Sequence, residues 1–169
     1  MAGAAGGAAV GSVVPVIGSV SVPVGVQYNA GDTLTFVVNA SEAILVNGAP
    51  RLALDIGGAT VFADYIAGSG TTTLVFQYSV QPGLNDADGI TVTGLQSNGG
   101  SLRDATGTAM NLTLNNVGDT SGVRIDTTAP TAALALDQAA SSAGNVRYTL
   151  TFSEKEKAVL GNNNISIGN

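Results

Sequence analysis

A short pattern in this chain occurs twice. Thr33-Leu34-Thr35-Phe36, followed by Ser41-Glu42-Ala43, returns as Thr149-Leu150-Thr151-Phe152-Ser153-Glu154. Apolar and polar residues alternate in the first copy, so Leu34, Phe36 and Val38 fall on one face of a strand. The separation between the copies is about the length of one β-sandwich domain, roughly 100 residues. Between them lies Val123-Arg124-Ile125-Asp126-Thr127-Thr128-Ala129-Pro130, an apolar run closed by an acidic turn that a proline stops. A chain that ends one domain, turns and opens a similar one is built as a tandem array.

The rest of the pattern is short strands punctuated by turn residues. Asn29-Ala30-Gly31-Asp32, Gly57-Gly58, Gly68-Ser69-Gly70 and Asn98-Gly99-Gly100 are turn formers. They predict strands at residues 19–24, 33–39, 51–56, 60–66, 72–80 and 90–95, a short one at 101–103, and closing strands at 111–115 and 122–125. Ser41-Glu42 is expected to end the second strand, and residues 82–89 to form a long polar loop. Turn signals at this spacing predict an all-β, Greek-key Ig-like β-sandwich over residues 18–128. Residues 1–17 read as a flexible Gly/Ala-rich leader. Residues 129–169 read as a partial second Ig-like repeat, too small to bury a core alone.

Charge and chemistry exclude several classes. The net charge is −6 with only six basic residues, which disfavours nucleic acid and anionic membrane surfaces. The chain has neither Cys nor His, which removes disulfides, thiol chemistry, zinc sites built on those residues and histidine triads. The most apolar window, residues 10–26, is broken by Gly11, Pro15, Gly18, Pro23 and Gly25, so no membrane insertion is expected. A secreted parent would carry its export signal outside this chain, whose first residues lack a positive n-region.

Gly31-Asp32-Thr33-Leu34-Thr35-Phe36, Pro50-Arg51-Leu52-Ala53-Leu54, Asn85-Asp86-Ala87-Asp88-Gly89-Ile90, Asp104-Ala105-Thr106-Gly107 and Asp126-Thr127-Thr128-Ala129-Pro130 together resemble the bacterial Ig-like, cadherin-like tandem repeats of large secreted (RTX-type) surface adhesins. The resemblance covers residues 19–130 and departs after the second Ser-Glu, where Lys155-Glu156-Lys157 replaces a small residue. It implies an extracellular, cell-surface location, calcium between repeats, and service in cell adhesion or biofilm formation as a spacer. The partners it implies are neighbouring repeats of the same chain. A module binding a surface glycan or host protein is the alternative, with an accessory domain of a secreted enzyme as a third.

Strand parity gives a separate route to the acidic residues. If each strand crosses the sandwich once, Asp32, Asp86, Asp88, Asp104 and Asp126 all fall at the pole where the chain leaves the first domain. Glu154, equivalent to Glu42, then faces them from the next. Two like charges 4 Å apart repel by about 4 kcal/mol at an effective dielectric of 20. A Ca²⁺ ion, taking 6–8 oxygens in a tolerant geometry, would remove that repulsion. These six residues are therefore the candidate metal ligands. Two readings stand for each Asp, because aspartate also forms turns by bonding its own backbone. The loop is not an EF-hand, since Leu84 occupies the first ligand position. Asp55 and Asp64 fall within strands and are expected to face solvent.

No catalytic residues are expected. Asp86 and Asp88 lie two apart on one loop, a poor arrangement for straddling a glycosidic bond. An isopeptide crosslink would need a buried lysine, and Lys155 and Lys157 flank acidic residues. The aromatic residues fall mostly at alternating strand positions, which suits packing.

Overall fold

A computed structural model describes residues 13–136 and 146–153. Glu154, Lys155, Lys157 and most of the leader lie outside the described residues. The chain divides into two compact units, the first ending at Thr127 and the second beginning at Thr128.

The first unit is all-β, without a helix among its described residues. Its strands are β1 (Ile17–Ser21), β2 (Gln27–Tyr28), β3 (Thr33–Asn47), β4 (Arg51–Ile56), β5 (Ala59–Ala67), β6 (Thr71–Ser79), β7 (Asn85–Asp86), β8 (Thr91–Gln96), β9 (Ser101–Arg103) and β10 (Arg124–Asp126). The main sheet runs β1-β3-β6-β5-β4-β8, with β9 added on the far part of β3, and a smaller sheet runs β2-β10-β7. Register shifts between Asn39 and Ile44, Tyr65 and Ala67, and Ala53 and Leu54 bend the main sheet. Such bulges increase local twist and let a sheet curl around its own contents.

One face of the curl is the core. Leu34, Phe36, Val38, Leu52, Leu54, Ile56, Leu74 and Phe76 are buried at alternating positions of β3, β4 and β6. Phe36 and Phe76 sit directly opposite each other in the β3–β6 ladder, and both are fully buried. Tyr65 meets Phe76 edge-on, with ring centroids 5.7 Å apart. Aromatic pairs of this geometry add roughly 0.5–1.5 kcal/mol beyond their area.

Turn chemistry sets the ladder. Gly57 and Gly58 have φ of 57° and 85°, the double positive φ of a two-residue hairpin loop between Ile56 and Ala59. A Cβ on Gly57 would lie 2.0 Å from the Asn85 carbonyl oxygen, so the hairpin also packs against β7.

Several predicted boundaries move. β3 runs on through Ser41-Glu42 to Asn47, because its last residues change partner: Leu45, Val46 and Asn47 pair with β9. Ile17, placed in the leader from sequence, opens β1 and is buried. The stretch expected as a return strand at 111–115 is not a strand. It follows β1 in the same direction through isolated parallel bridges, Val16 to Asn111 and Val20 to Val117. Asn85–Asp86, read as loop, forms β7 by pairing with β10.

The second unit is described as the antiparallel hairpin β11 (Ala132–Leu136) and β12 (Tyr148–Phe152). Ala132, Leu134 and Leu136 face Phe152, Leu150 and Tyr148 respectively. Alternation places these six on one face of the hairpin.

Candidate functional site

Strand direction gathers four of the candidate ligands at one end of the first unit. Asp32 precedes β3, Asp86 and Asp88 follow β6, and Asp126 closes β10. Thr33 pairs with Ser79, and Asp126 with Asn85, which joins these segments at that end. Asp104 is not among them. It follows β9, which lies along the last residues of β3, the opposite end of that strand from Asp32. Parity misplaces Asp104 because the chain does not cross the domain in β9, three residues paired only with the end of β3. It turns at Asp104 and then runs parallel to β1.

The aspartates are engaged by backbone donors. Asp86 is buried. One of its carboxylate oxygens accepts from the Gly57 N–H at 2.7 Å and the other from the Gly89 N–H at 2.8 Å. It thereby ties the β4–β5 hairpin to the loop before β8. Gly89 has a φ of 104°, and a Cβ there would lie 2.5 Å from the Thr120 carbonyl oxygen, so a side chain at this donor would be excluded. Next to this latch, Thr127 donates its N–H to Asn85 Oδ1 and its hydroxyl to the Leu84 carbonyl, holding β7 against β10. Asp32 accepts the Asn29 N–H at 2.7 Å, and the Asp126 carboxylate accepts from Gln27 Nε2 at 3.4 Å. Asp88 is exposed.

Asp104 makes a tighter cap. One carboxylate oxygen accepts the Thr106 N–H and hydroxyl and the Thr108 N–H, at 2.7–2.8 Å. Burial alone would raise its pKa, but the donors of Thr106 and Thr108 outweigh that and hold the carboxyl below its ordinary value. Hydrogen bonds from Ser121 likewise lower Asp119. Asp55, expected to face solvent, is half-buried and caps its own hairpin through the Gly58 N–H. Asp64 is exposed as expected.

This is the chemistry of turn formation, in which a carboxylate satisfies N–H groups that the loop leaves unpaired. Every buried side-chain polar atom among the described residues has a partner. Among the same residues, no group of three or more acidic side chains converges closely enough to hold a metal ion. A depression of about 190 Å³ between Ser97, Leu102, Arg103, Met110 and Leu112 is smaller than the ~300–1,000 Å³ usual for ligand clefts.

Sequence reasoning missed the Asp86 latch. Its signal was the Asp-x-x-Gly spacing of Asp86 and Gly89 beside a Gly57-Gly58 hairpin, but the 29-residue reach from Asp86 to Gly57 has no local trace. No family model, curated protein or solved structure matches the chain.

Proposed function

We propose that this chain is part of a tandem array of Ig-like, Greek-key β-sandwiches serving as an extracellular spacer on a bacterial surface, and that it is not an enzyme. The observation that carries the reading is that the repeated motif is a strand in both units. In the first unit the Thr-Leu-Thr-Phe motif opens β3, where Thr33 to Phe36 pair antiparallel with β6, and β1 pairs with the residues that follow, Val37 to Ala40. In the second, the same motif in β12 pairs antiparallel with its own preceding strand, β11. The repeated sequence thus forms an antiparallel strand in each unit, as in a chain built from one unit used again. The Ig-like topology is supported by β3 pairing with β6 and β4 with β8, and by β10 running parallel to β2.

A spacer works by resisting extension. The latch of Asp86, the Thr127 bonds and the β10 pairings close the first unit just before the chain leaves it, so tension on Thr127 acts on cross-linked strands. Calcium belongs to the proposal as the counterion of Asp32, Asp86, Asp88 and Asp126, whose carboxylates share this end.

Pulling single molecules from both ends, in Ca²⁺ and in EDTA, tests both parts. The first unit should yield in one cooperative event releasing roughly 40 nm of chain, from about 3.6 Å per extended residue, and at higher force in Ca²⁺. Yielding in several small steps would overturn the spacer reading. A single event at the same force in EDTA would remove calcium and leave the spacer.

A further inference from the structure

The outward face of the main sheet carries a row of polar side chains that the core does not use. The ladders set Thr35 opposite Gln77, Gln77 opposite Asp64, Asp64 opposite Arg51, and Arg51 opposite Gln96. One rung thus crosses five strands, β3, β6, β5, β4 and β8. At about 4.8 Å between strands it is roughly 19 Å long. The side chains are exposed except for Arg51, which is half-buried.

Within the row, a cation and an anion stand opposite each other without joining. The Arg51 guanidinium lies 3.7 Å over the Phe62 ring centroid, and its Nε donates to Gln96 Oε1 at 3.0 Å. The ring belongs to β5 and the amide to β8, so the two contacts hold the guanidinium between the strands that flank its own. Among the described residues no hydrogen bond or ion pair engages the Asp64 carboxylate. On the other side, Gln77 is turned toward β3, its Nε2 donating to Thr35 Oγ1 at 3.3 Å. Its carbonyl oxygen therefore remains as an acceptor. The row presents guanidinium donors, a carboxylate and an amide oxygen side by side, with local charge cancelling.

We propose that this row binds an uncharged polysaccharide through its vicinal hydroxyls. A hydroxyl both donates and accepts, so adjacent hydroxyls on one sugar ring can donate to Asp64 and accept from Arg51 together. Arg51 is already fixed by Phe62 and Gln96, so little side-chain freedom is lost on binding. A charged polymer fits less well: the row is neutral, and the protein's net charge of −6 repels polyanions. The inference is independent of the spacer reading, since a stiff repeat can carry such a face or lack it.

Native gel electrophoresis of the full chain through gels holding dextran, galactomannan, mixed-linkage β-glucan or alginate tests it. At least one of the three neutral polymers should retard the protein. Asp64→Ala and Arg51→Ala should each weaken that retardation about tenfold in apparent affinity, in line with loss of a charge-assisted hydrogen bond. Arg51→Lys should weaken it as well, because an ammonium lacks the planar fork. Thermal melts verify that each variant is folded; Asp64→Ala, on an exposed site, should melt like the parent. Retardation by alginate alone, by none of the polymers, or unchanged in folded Asp64→Ala would overturn the proposal.

Discussion

The two Thr-Leu-Thr-Phe strands share a sequence and each has an antiparallel partner, yet their side chains meet different surroundings. In β3, Leu34 and Phe36 are 0% exposed; in β12, Leu150 and Phe152 are 38% and 37% exposed. Each motif lies against an antiparallel neighbour, β6 in one unit and β11 in the other, so ladder pairing does not account for the difference. The cover does. Leu34 and Phe36 share a core cluster with Leu52, Leu54, Ile56 and Val92, from β4 and β8, whereas the described part of the second unit has two strands and no second layer. Two strands alone form at best a marginally stable hairpin in water. Alternation decides which face is apolar, and more distant strands decide whether that face leaves water.

The largest effect should come from truncating the motif phenylalanine in each copy. Phe36→Ala should cost the first unit about 3–5 kcal/mol, the range for a fully buried Phe. Phe152→Ala should leave that unit's transition within about 0.5 kcal/mol. Urea unfolding followed by circular dichroism reads both. Equal losses would show that the two copies belong to one cooperative core.

A smaller contrast separates Asp86 from Asp88. Removing the Asp86 carboxylate strands the N–H groups of Gly57 and Gly89, so Asp86→Ala should destabilise by about 3 kcal/mol. Asp88→Ala, two residues on and exposed, should change stability by less than about 0.5 kcal/mol. Comparable losses in the same urea assay would mean that the loop, and not the latch, stabilises this end.

The smallest effect is in acid. The folded pKa of Asp104 is depressed, so its contribution is fully present above the unfolded value, about 3.9. It is lost as pH falls below that toward the lower folded value. Asp104→Asn should remove this part of the acid dependence, read as a shallower fall in melting temperature below pH 4. The described residues of the second unit hold no carboxylate, so hydrogen exchange in its hairpin should not follow the same pH course. A parallel course in both would tie them to a shared transition.

How much could be read in advance varied with the reach of the interaction. Arg51–Ile56 and Ser101–Arg103 have the bounds expected of them, because alternation and flanking glycines are local signals. The run-on of β3 past Glu42 was not readable, since it depends on β9, more than fifty residues away, for its partner. Asp104 was misassigned for the same reason: whether the strand before it crosses the domain or stops after three residues depends on the edge of β3 that only the folded sheet provides. The candidate ligands were legible as turn-forming aspartates. Which N–H groups they would hold was not.

The sequence by itself determined the all-β class, the apolar face of each strand and the recurrence of the Thr-Leu-Thr-Phe strand, since a period of two and the conformations open to glycine are properties of neighbouring residues. Only the tertiary structure decided which copy of the motif is buried. It also sent Asp104 to the opposite end of β3 from Asp32 and set Gln77, Asp64 and Arg51 in one row. Each of these depends on strand register, and register comes from partners brought together from distant parts of the chain.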